Sequence, residues 1–161
     1  MKTIFTALAA TLLATTVQAH VTLEQPSAQA GTYYKAVLRV GHGCDGQATQ
    51  RVSVDIPEGV DGVKPMPKAG WTVTTERSGE EVSRIVWEGS LDDAFYDEFA
   101  FRAHLGDDLP ADAPLYFPTT QDCADGQEAW VNIPAEGTDW HDTEYPAPVL
   151  LIEGADPHAH H

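Results

Sequence analysis

The chain has 161 residues, with 25 acidic side chains against nine basic ones and a formal charge of −16. That balance argues against nucleic acid or an anionic membrane surface as a partner, because each phosphate contact would meet repulsion. An apolar content of 42% with 9% aromatics excludes an acidic disordered chain and leaves a globular domain.

The first nineteen residues read as a leader. They carry one base, Lys2, no acid, and an apolar run from Ile4 to Ala14. They close on Val17-Gln18-Ala19, a small-residue exit of the kind signal peptidase cuts after. The run is shorter than a bilayer span, and no later run is long enough to cross one. The expectation is a cleaved signal peptide over residues 1–19, one domain over 20–153 and a histidine-bearing tail over 154–161. Export would place the domain in the periplasm or the medium.

Beyond the leader, two-residue periodicity dominates. Strands are expected over 34–40, 50–56, 71–75, 82–87, 99–105, 115–117, 129–133 and 149–152. In 50–56, Val52, Val54 and Ile56 alternate with Arg51, Ser53 and Asp55, the pattern of a strand with one buried face. Phe99, Phe101, Ala103 and Leu105 alternate with Ala100, Arg102 and His104 in the same way. In 129–133 the pattern assigns Ala129, Val131 and Ile133 to the core face and turns Trp130 to the other with Asn132. Pro57-Glu58-Gly59, Asp61-Gly62, Ser78-Gly79 and Asp125-Gly126 supply turns, and only 90–98 has room for a helical turn or two. Short strands with regular turns predict an all-β, antiparallel sandwich or barrel.

Cys44 and Cys123 are the only cysteines, the number one bridge consumes. Export favours their oxidation to a disulfide. The bridge closes a loop of about 80 residues, worth ~4.5 kcal/mol in the chain-entropy model. The alternative is a thiolate metal site with His42 as co-ligand. A blue-copper arrangement finds no support in the spacing, since Met66 lies far from Cys123 in the chain.

The place of cleavage carries the chemistry. If Ala19 is the last residue removed, His20 becomes the amino terminus, and its α-amine and imidazole Nδ1 can chelate one metal ion. An α-amine titrates near pH 8, so a strong Lewis acid displaces its proton at neutral pH. Two nitrogens in a tetragonal arrangement favour Cu(II), and a carboxylate oxygen would complete the set.

The following segments carry a resemblance: H-V-T-L-E from His20, A-G-T-Y-Y-K from Ala30, V-G-H-G-C-D-G from Val40 and V-D-I-P-E-G-V from Val54. They continue with A-G-W from Ala69, V-W-E-G from Val86, Q-D-C from Gln121, A-W-V-N-I-P from Ala129 and A-P-V-L from Ala147. Nine segments in this order make the chain from His20 to about Ile152 resemble the YcnI family of exported copper-binding domains. The resemblance implies an immunoglobulin- or cupredoxin-like β-sandwich that holds one Cu(II) through a single-histidine brace. Carried over, His20 is the bidentate ligand, Glu24 the candidate carboxylate and Trp130 the tryptophan beside the metal. In a straight strand the Cα atoms of His20 and Glu24 stand ~13 Å apart, near the limit one metal can bridge. The terminus must therefore curl back, or another acid supplies the oxygen.

The tail adds His158, His160 and His161, three imidazoles within four positions that can gather Cu(II), Ni(II) or Zn(II) loosely. His42 and His141 read as loop residues and His104 as a solvated strand position. No G-x-S-x-G, H-E-x-x-H or phosphate-cradling loop appears, so turnover is not expected. The expected function is an exported Cu(II)-binding protein in copper trafficking, storage or homeostasis. Its partners would be the copper ion and another exported copper carrier or maturation factor. Two alternatives stand beside it: a copper-dependent oxidative enzyme of the polysaccharide monooxygenase type, which needs a second histidine on the metal, and a structural sandwich with incidental metal binding.

Overall fold

The computed structural model describes residues 20–154. The leader and the tail histidines His158, His160 and His161 lie outside the described residues. Among those described there are twelve strands: β1 (Thr22–Leu23), β2 (Ser27–Gln29), β3 (Tyr33–Val40), β4 (Thr49–Asp55), β5 (Val60–Pro65), β6 (Thr72–Ser78), β7 (Glu81–Leu91), β8 (Asp97–Leu105), β9 (Pro114–Tyr116), β10 (Thr119–Cys123), β11 (Gln127–Trp130) and β12 (Val149–Glu153).

They form a β-sandwich. One sheet has the order β1-β3-β8-β5 and the other β11-β10-β4-β7-β6, while β2-β12-β9 make a small third sheet. The fold is the expected antiparallel sandwich, with β2 and β12 as its one parallel strand pair among the described residues. A parallel neighbour is reached by a long crossover, and here nearly the whole domain separates the two strands.

Alternation decides which faces meet. Tyr34, Ala36, Leu38 and Val40 of β3 and Phe99, Phe101, Ala103 and Leu105 of β8 are buried, and so are Val52 and Val54 of β4 and Ile85 and Trp87 of β7. Between the sheets the ring of Trp87 lies 5.6 Å from that of Phe99, and Trp71 meets Phe99 edge-on at 4.8 Å. Each such side chain contributes roughly 1.5–3 kcal/mol by leaving water.

The cysteines are bridged: Cys44 and Cys123 join with Cα atoms 5.9 Å apart, which removes both thiols from metal chemistry. Beside the bridge the buried amide of Gln121 donates to the carbonyl of His42 at 2.6 Å and to Oγ1 of Thr49 at 2.7 Å. Satisfied in this way, a polar side chain of β10 is tolerated facing the core.

Two expectations are corrected. The stretch 90–98 holds no helix: β7 continues to Leu91, Asp92 accepts from the amides of Ala94 and Phe95, and β8 begins at Asp97. Around β11 the burial is inverted, with Trp130 in the core at 1% exposure while Val131 and Ile133 are exposed. The regular ladder stops at Trp130, where the amide of Val131 turns back to the carbonyl of Ala129. The strand therefore buries its large aromatic and leaves the smaller apolar residues outside.

Candidate metal centre

His20 is the first described residue, and its neighbours fix its position. Val21 is 1% exposed and Leu23 is buried, so the segment leading through β1 inserts two apolar side chains into the core and leaves His20 and Thr22 on the opposite side. The strand is pinned to β3 with Thr22 opposite Arg39 and Leu23 opposite Leu38, and the amide of Glu24 donates to the carbonyl of Val37 at 3.0 Å.

Two indoles close on the His20 imidazole. Trp130, at the end of β11, meets it edge-on with ring centres 5.7 Å apart, and Trp140 meets it edge-on at 5.2 Å. Trp140 opens a single 3-10 turn, Trp140–Asp142, inside the long connection between β11 and β12. That connection is drawn back to the sheet by several bonds. The amide of Asn132 donates to the carbonyl of Tyr145 at 3.1 Å, that of Ala147 donates to the carbonyl of Asn132 at 2.9 Å, and Nδ2 of Asn132 donates to the carbonyl of Glu144 at 2.6 Å. Trp140 is itself fixed, its Nε1 donating to the carbonyl of Ala147 at 2.7 Å. Tyr145 packs on the far side of Trp130 with ring centres 5.3 Å apart.

The resulting environment is half-buried and aromatic. Burial holds the His20 imidazole below the ordinary histidine pKa, and nearby His141 adds to the depression. The ring is accordingly neutral near pH 7, the form that binds metal. The Nε1 hydrogen of Trp130 is fully buried and finds no acceptor among the described residues, a state shared by the core residue Trp87. Buried polar groups ordinarily have partners, and the Trp130 indole that meets the imidazole carries a hydrogen without one among the described residues. No group of three or more histidine, cysteine, aspartate or glutamate side chains converges on a metal-sized site among the described residues. Among the described residues, side chains alone therefore form no cage for a metal ion.

The residues singled out from the sequence fall into two groups. His20 and Trp130 are together. Glu24 is not joined to His20 by an ion pair among the described residues; its carboxylate lies 3.8 Å from the Arg39 guanidinium, half exposed. His42 sits in the loop before Cys44 with its Nδ1 against the carbonyl of Gly43, and His104 faces Asp61 from β8 at 3.4 Å. Trp140 and His141 were missed as neighbours of His20, because local spacing carries no sign that the β11–β12 connection folds back over the terminus.

Comparison with known proteins agrees with this architecture. A family model described as a domain of unknown function, DUF1775, matches residues 20–152. The chain is similar, at 26% identity and a TM-score of 0.69, to a crystal structure of an uncharacterized protein from Nocardia farcinica described as having an immunoglobulin-like fold. The similarity covers 84% of this chain and 99% of that one. No curated protein matches the chain.

Proposed function

The chain belongs to the DUF1775 family, and from that premise we propose that it is an exported Cu(II)-binding domain that holds one copper ion as cargo at His20. The observation that carries this reading is the setting of His20: a neutral imidazole edge-on to Trp130 and Trp140, beside a buried indole N–H without an acceptor. Once the leader is removed after Ala19, the α-amine and Nδ1 of the same residue supply two nitrogens to one ion. An oxygen donor completes the set. Glu24 is the candidate, and reaching the metal requires its release from Arg39. The indoles limit water at the ion, which slows exchange and favours storage or delivery over turnover.

The role that follows is copper trafficking, storage or homeostasis outside the cytoplasm, with a second exported copper carrier or a maturation factor as donor or recipient. The acidic surface supports it by concentrating cations near the protein.

The test is calorimetric titration of Cu(II) into the chain beginning at His20 and into the same chain with one alanine added ahead of it. The extension turns the amine into an amide, and affinity should fall by orders of magnitude. Equal affinities would exclude the chelate.

A further inference from the structure

The 3-10 turn holds an arrangement that its own stability does not require. Asp139 caps the turn by accepting from the amide of His141 at 2.8 Å. The same Oδ1 also contacts Nδ1 of the His141 ring at 2.9 Å. Capping needs only the first contact. The second fixes the imidazole: a carboxylate can only accept, so Nδ1 carries the hydrogen and Nε2 presents its lone pair. Nε2 has no partner among the described residues, and the side chain is 80% exposed. A carboxylate that orients a histidine through one nitrogen and leaves the other free is the outer-shell arrangement of metal-ligating histidines.

This imidazole stands beside the site already described. Trp140 meets the ring of His141 edge-on at 5.2 Å, the same separation at which it meets the ring of His20. The two imidazoles are thus no further apart than twice that distance, on one indole that its bond to the Ala147 carbonyl keeps in place.

We propose that His141, oriented by Asp139, is the ligand through which copper enters and leaves the His20 chelate. The inference rests on the assignment of His20 as the metal-binding residue. The step is a ligand exchange without change of oxidation state. The bond from Cu(II) to the His20 amine breaks as one from Nε2 of His141 forms, the released amine takes a proton from solvent, and the bond to Nδ1 of His20 then breaks as a nitrogen of an acceptor replaces it. Cu(II) then passes from the exposed imidazole to that acceptor. A half-buried chelate with no exposed relay would exchange only through the gap that Trp130 and Trp140 leave around the ring.

The experiment uses the chain beginning at His20, loaded with one equivalent of Cu(II) and mixed with excess Gly-Gly-His peptide as acceptor. Transfer is followed by the recovery of tryptophan fluorescence in stopped flow, and equilibrium affinity is measured separately. H141A should slow transfer on the order of tenfold and D139N by less, in line with the effect of removing outer-shell partners, while H141A weakens affinity far less than H20A. Transfer by H141A at the parent rate overturns the relay, and so does a loss of affinity in H141A as large as in H20A. If H20A itself binds as tightly as the parent, the His20 assignment fails. If H20A loses binding while H141A transfers normally, only the relay fails.

Discussion

The imidazole of His20 and the indole of Trp140 come from opposite ends of the domain and meet edge-on at 5.2 Å. The chain contains four tryptophans, and two of them, Trp130 and Trp140, contact His20, whereas Trp71 and Trp87 pack on Phe99. If His20 holds Cu(II) as proposed, the ion should therefore quench the first pair more than the second. Replacing Trp140 by phenylalanine is expected to remove a large share of the copper-dependent quench and to leave the emission of Trp71 and Trp87. A quench of unchanged fractional size in that variant would place the ion elsewhere.

The bridge between Cys44 and Cys123 spans 79 positions and ties the loop before β4 to the end of β10. Replacing both cysteines by serine should lower the unfolding free energy by roughly 2–4 kcal/mol through the less restricted unfolded chain. Urea titration reads this directly. A midpoint equal to that of the parent chain would show the bridge to be energetically idle.

Gly89 in β7 faces the ring of Trp71, and a Cβ built there falls onto that ring. Gly89→Ala should push Trp71 off Phe99 and cost about 1–3 kcal/mol, the range for overpacking a filled core. Near-ultraviolet dichroism should lose part of its tryptophan signal together with the drop in stability. An unshifted spectrum would mean that the neighbouring strand β6 yields at no cost.

Tyr34 is buried, and its hydroxyl donates to the carbonyl of Gln25 at 2.7 Å. Burial, with Glu24 as a smaller influence, raises its pKa well above the ordinary value of 10. A group whose pKa is raised on folding stabilises the fold below its unfolded pKa. That contribution disappears as the pH climbs above 10 toward the folded value. In an alkaline titration followed at the phenolate band, the ionisation of Tyr34 should coincide with unfolding. Ionisation of Tyr34 near its ordinary pKa, with the fold intact, would contradict this placement.

Much of the sandwich was legible because β4 alternates apolar and polar residues, while β3, β7 and β8 carry apolar runs such as Ile85-Val86-Trp87 and Phe99-Ala100-Phe101 between turn signals. Strand β10 was not, since its inward residues are Thr119, Gln121 and Cys123, and two of those are polar groups satisfied by hydrogen bonds. Strand β5 was read as a turn because of Asp61-Gly62, and its register with β8 does shift between Asp61 and Lys64. Alternation also misjudged β11. Three small or branched residues outvoted one indole in the count, whereas burial follows area and the ladder ends at Trp130. His20 was singled out from the expected place of cleavage, and the structure sets it against Trp130. Trp140 and His141 reach it only through the return of a connection whose closing bonds, such as Asn132 to Tyr145, have no local signature.

One feature of β1 bears on biogenesis. The Ala19–His20 bond is a single residue away from Val21, whose side chain is sealed inside the sandwich. A processing protease needs several extended residues on either side of the bond it cuts, so cleavage after Ala19, as proposed, would have to precede docking of this strand. On the proposed cleavage, maturation would be ordered in time: the segment would be cut while the polypeptide is still emerging, and only afterwards would the edge of the sheet zip shut behind the new terminus.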